Sequence, residues 1–283
     1  MISFLYDNPI FVWALLVSIT AGIIGGSVGP LVVVRRMSFL SGSIAHAVLA
    51  GVGLFIWLER AHHMPMPSPI FGALFAAFIA AWCLSILQKS ERLDSAIAAL
   101  WASGMAIGII LLSQTPGYTT EVNNILIGNI LFVGPQDLLI LAVLALFTIA
   151  FITIRFQHLK LVLFDPTQAK LQGIDTEKMY THLLFLVAIS VVALVQVVGI
   201  VLVMTFLTLP ALLAGLFCRH LSTMIFASIG VAMVCSIAGL LLAYWLDWPA
   251  GASITICATC FYGMGKIGKS GIRTHGTLTG TRP

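Results

Sequence analysis

The stretch LLFLVAISVVALVQVVGIVLVMTFLTLPALLAGLFC, Leu183 to Cys218, carries no charge and a single amide, Gln196. As one α-helix it would be roughly 54 Å long, at about 1.5 Å per residue. The hydrocarbon core of a bilayer is about 30 Å thick and is crossed by about 20 apolar residues. The stretch is too long for one crossing, so it reads as two, with a tight break near Val197–Gly199. That reading sets the fold class: an all-α polytopic transmembrane bundle.

The rest of the chain agrees. Of its 283 residues 60% are hydrophobic and 8% charged, and the mean hydropathy is +1.08. Soluble domains are nearer a quarter charged, so the lipid bilayer is the natural solvent. Further apolar runs cover Ile10–Val34, Ile44–Leu58, Ile70–Leu87, Ala96–Leu112, Leu138–Ile154, Leu221–Leu246 and a short Pro249–Gly265. The total is eight or nine spans. Asn123–Val133 is apolar but too short to cross, and fits a half-helix dipping into the outer face. With the N-terminus outside, every Lys and Arg except Arg60 falls in an inner loop or the C-terminal tail, as the positive-inside rule requires. The net charge of +4 is therefore a topology signal, and nucleic acid is not an expected partner.

GMGKIGKS, Gly263 to Ser270, has the spacing of a phosphate-binding loop. A working loop sits between a strand and a helix inside an α/β domain. Here it follows a membrane span, with only a short polar tail after it. The expectation is a basic membrane exit, no nucleotide site, no catalytic residue and no enzyme activity. Cys257 and Cys260 form a C-x-x-C that reads as two packing residues one helical turn apart, without a second pair or nearby His.

Polar side chains inside spans are costly and are the default functional candidates. His46 is the clearest, in RRMSFLSGSIAHAVLAGVGL. On a helix it shares a face with Gly42, Ala50 and Gly53. Imidazole binds divalent transition metals well; the alternative is a histidine satisfied by a neighbouring carbonyl. Gln196 is a second candidate, or a polar cap on the break. HHMPMP, His62 to Pro67, is either a weak metal collector or a solvated loop. In FDPTQAKLQGI, Phe164 to Ile174, Asp165 suits an N-cap, Pro166 the first helical position and Gly173 the stop.

Several segments, in order, resemble the membrane permease subunit of bacterial ABC importers for zinc, manganese or iron. They are RRMSFLSGSIAHAVLAGVGL, NNILIGNILFVGPQDL, LFDPTQAKLQGI, VGIVLVMTFLTLPALLAGLFCR and WPAGASITICA. The resemblance covers most of the chain and implies a transmembrane permease domain over 1–267, with a coupling segment within 155–181. It implies a homodimer in the bacterial cytoplasmic (inner) membrane, N-terminus outside and C-terminus cytoplasmic. It implies a separate ABC ATPase subunit docked on Phe164, Asp165, Pro166, Gln168, Ala169 and Gly173, and an extracytoplasmic metal-binding protein that delivers the ion. No permanently bound cofactor is implied; the divalent metal ion is the transported substrate, with His46 and Gln196 along its path. In the family an aspartate lies four residues before the histidine that His46 matches. Gly42 stands there, which removes a hard oxygen ligand. The tail 268–283 matches nothing in the family and is expected to be disordered. The rival reading is an ion-coupled secondary transporter; the spans hold no carboxylate of the kind such proteins use.

Overall fold

The computed structural model describes residues 9–66, 68–88, 93–116, 128, 130 and 133–278. The helices are α1 Pro9–Val34, α2 Ser38–His62, α3 Pro69–Leu87, α4 Leu93–Ser113, α5 Pro135–Phe164, α6 Pro166–Leu171, α7 Thr176–Phe217, α8 Leu221–Leu246 and α9 Ala250–Leu278. Among the described residues there is no strand. Lipid offers the backbone no hydrogen bonds, so each apolar run must satisfy its own amides, and a helix does that within one segment. Seven of these helices are long and apolar enough to cross a membrane.

α7 holds the fold-back that its length demands. Gly199 has φ 78° and ψ 164°, a backbone no side chain adopts easily. On one side of it, the Tyr180 hydroxyl donates to Met37 Sδ at the base of α2, 2.9 Å away. On the other side, Ala211, Leu216 and Cys218 share a cavity with Val33 and Val34, at the same end of the bundle. Gln196, near the break, lies with Ile56, Ser68 and Pro69 at the opposite end. Both ends of α7 therefore lie on one face. Its limbs, 176–198 and 200–217, rise ~34 Å and ~27 Å, each enough for a crossing.

α9 adds a further traverse. Its start packs at Gly239, and Gly265 reaches Leu216 and Phe217 at the other face. The described residues thus make nine traverses. Pairs of small residues bring the helices together, as expected where lipid supplies no hydrophobic drive between them. Gly51 of α2 and Gly72 of α3 meet backbone to backbone, and Gly104 and Gly108 of α4 lie against Ala47 and Leu49. α7 is the central element, with 83% of its most apolar window buried, against 22% for α4 and α5.

The structure adds to the sequence reading in two places, and a third expectation lies outside the described residues. Arg155–Thr181 is mostly helix: α5 runs on to Phe164 and α7 begins at Thr176, leaving only short turns around α6. α9 is helical through Leu278, where the sequence predicts a disordered tail from 268. The expected half-helix at Asn123–Val133 lies almost wholly outside the described residues.

Candidate functional site

The basic face is built around α6. The Asp165 carboxylate accepts the Gln168 N–H at 2.9 Å, and Pro166 stands at the helix start. At the other end the Gly173 N–H donates to the Lys170 carbonyl and the Ile174 N–H to the Ala169 carbonyl, at 3.0 Å each. Gly173 takes φ 77° there. Ala169 is fully buried and anchors the helix, while Phe164 is 60% and Leu171 85% exposed. Thr167, Gln168 and Lys170 are exposed as well. The next turn is capped by Asp175, which accepts the Lys178 N–H at 3.1 Å. That N–H, and then the Lys178 ammonium, hold the Asp175 carboxyl below the usual carboxylate range. Arg35 ties this face together by donating to the Val162 carbonyl at 2.5 Å, near the end of α5.

His46 lies mid-span in α2 and is half-buried. Its ring stacks on Trp101 of α4, with centroids 4.7 Å apart and planes 20° from parallel. His46 Nδ1 is enclosed and has no hydrogen-bond partner among the described residues, so a neighbouring carbonyl does not satisfy it. The small face around it is packed. A Cβ at Gly53 would lie 3.0 Å from the Gly108 carbonyl oxygen, and one at Gly42 would overlap the Met204 methyl. Trp101 packs against His46, and both Trp101 and Met204 pack against Gly42; the sequence reading missed both. A tryptophan mid-span, away from the interfacial belt, was the available signal for the first.

Gln196 stands elsewhere. It is exposed and lines a cavity of about 260 Å³ with Val48, Val52 and Ile56 of α2. Those three form a stripe on the side of α2 turned away from His46. Within one chain, His46 and Gln196 are not brought together. Among the described residues no group of three or more His, Cys, Asp or Glu converges.

Gly263 to Lys269 lie inside α9. Their amides face along a helix, where a phosphate loop would turn them outward. Lys269 instead donates to the Leu216 carbonyl at the end of α7, a cation on a helix C-terminus.

The chain matches the ABC 3 transport family over residues 7–267. It is 39% identical over 250 residues to a probable metal transport system membrane protein of Chlamydia trachomatis, covering 88% of this chain and 85% of that one. It is 32% identical over 250 residues to a manganese transport system membrane protein, MntC, of Listeria innocua, covering 88% and 87%. Among solved structures, PsaBC from Streptococcus pneumoniae in complex with Fab has a TM-score of 0.82 at 30% identity, over 94% of this chain and 95% of that one.

Proposed function

This chain belongs to the ABC 3 transport family, and from that premise we propose that it is the permease subunit of an ATP-driven importer of divalent transition metal ions. The ion crosses the cytoplasmic membrane past His46, while hydrolysis takes place on a separate ABC ATPase. The functional unit is a homodimer with its pathway along the two-fold axis. The basic face, with α6, is cytoplasmic, and an extracytoplasmic metal-binding protein delivers the ion at the opposite face. Relatives named for metal and manganese transport support the substrate class.

The observation that carries the reading is α6. It is a short helix, capped at both ends and pinned by Ala169, that holds Thr167, Gln168, Lys170 and Leu171 clear of the bundle. Lipid-facing loops have no use for such rigidity; a partner's groove does. Phe164, Asp165, Pro166, Gln168, Ala169 and Gly173 form or hold this surface. His46 supplies an imidazole with an unpaired nitrogen in an otherwise apolar layer, where a partly desolvated cation could pause.

Reconstitution tests the proposal. Proteoliposomes with this chain and its ATPase subunit should accumulate zinc or manganese only with ATP inside the ATPase compartment. Uptake by this chain alone, driven by a proton or sodium gradient, would overturn it in favour of a secondary transporter.

A further inference from the structure

We propose that Met204 is a specificity-determining residue for the transported ion, forming with His46 a thioether–imidazole pair that favours zinc over manganese. The inference rests on the importer reading above and adds the chemistry of the path.

Met204 and Trp101 meet at Gly42 on α2, and Trp101 leads from there to His46. Gly42 lies one turn before His46. A Cβ there would overlap Met204 Cε and stand 3.1 Å from its sulfur and 2.9 Å from Trp101 Cζ3. The same indole covers the His46 ring. Met204 and any side chain at position 42 therefore compete for one volume, and in this chain the thioether holds it. Met204 reaches this point because α7 folds back five residues earlier, at Gly199. It is half-buried, on the same side of its limb as exposed Val201 and half-buried Thr208. Between residues 200 and 208 the rest of the limb is buried.

The donor set decides the preference. No Asp or Glu occurs between residues 9 and 58, 95 and 120, or 183 and 246, so the stretches of α2, α4 and α7 around this point hold no carboxylate; Glu59, Asp94 and Glu177 lie near the helix ends. Manganese prefers carboxylate, carbonyl and water oxygens; imidazole and sulfur donors suit zinc and softer ions. The thioether is polarizable and flexible, and it lies against Gly42, one helical turn from His46. A methionine acting only as packing would be replaceable by leucine without chemical consequence.

The test uses the full chain, purified in lipid nanodiscs and equilibrated with radioactive zinc or manganese. Wild type should bind zinc more tightly than manganese. Met204→Leu keeps the volume and removes the sulfur; it should weaken zinc binding by about tenfold, in the range seen for tuning residues at metal sites, leave manganese unchanged and preserve the melting temperature. Gly42→Asp combined with Met204→Ala should shift the preference towards manganese. An unchanged zinc-to-manganese ratio in Met204→Leu, no shift in the double variant, or no zinc binding by wild type would each overturn the inference. Cellular uptake separates the two levels. Chain-dependent uptake with an unaltered ratio in Met204→Leu sinks only the Met204 role. Met204-dependent binding without chain-dependent uptake sinks only the importer reading.

Discussion

His46 was a candidate from the sequence because an imidazole in an apolar run stands out. Its partners were not, because Trp101 and Met204 are apolar residues among apolar residues. What gathers them is tertiary: the close approach of α4 to α2 at Gly104 and Gly108, and the return of α7 after Gly199. His46→Ala should lower metal uptake by about tenfold or more, as loss of a ligand or its support does, while ATPase association stays intact. Uptake at the wild-type rate would make His46 structural. Gln196 sits on the far side of α2 from His46, so Gln196→Ala should leave the zinc-to-manganese ratio unaltered. A changed ratio would place it in the ion's path after all.

At the scale of elements, caps and breaks were the most readable features. Asp165, Pro166 and Gly173 announce α6 through side-chain chemistry and turn geometry that are local, so no tertiary knowledge was needed. The extension of α5 to Phe164 was hidden because Arg155, His158 and Lys160 end the apolar run without ending the helix. Asp165→Ala removes the carboxylate that accepts the Gln168 N–H and should cost α6 about 1 kcal/mol, seen as weaker co-purification of the ATPase subunit. Undiminished co-purification would remove α6 from the docking surface. Asp175 allows a pH test. Its folded pKa is depressed, so its contribution to the α7 cap is complete above the ordinary carboxylate range and is lost as pH falls through the lowered value. Amide exchange at Lys178 should be protected at neutral pH and lose protection only on acidification, whereas Asp175→Ala should show faster exchange already at neutral pH. Gly199→Val forces a β-branched residue into positive φ and should cost roughly 1–3 kcal/mol. Thermal unfolding in detergent measures it, and an unshifted midpoint would mean the break tolerates another geometry.

For the whole molecule, length and the absence of charge in Leu183–Cys218 were enough to foresee the double crossing, since a bilayer admits few alternatives. The tail was not legible, because glycines and threonines at 268–278 carry no helical signal while the backbone there remains helical. Nine traverses separate the two ends of the described chain, and the positive-inside rule would put the ends rich in Lys and Arg on the cytoplasmic side. A phosphatase reporter, active only outside the cytoplasm, should be active when fused at Trp248, between α8 and α9, and silent at His220, between α7 and α8. The opposite pattern would invert the molecule.

The fold-back in α7 also has leverage. Measured from Gly199, Met204 lies ~7.5 Å along its limb and the limb's end ~27 Å. If the two limbs change their angle about that apex, the gap at Met204 moves roughly a quarter as far as the gap at the basic face. The first limb joins α6 through a short turn, and the second is tethered by Lys269 to α9. Under the importer reading, a movement of α6 would be geared down before it reaches Met204. A wide opening at the basic end would then go with a small one beside His46.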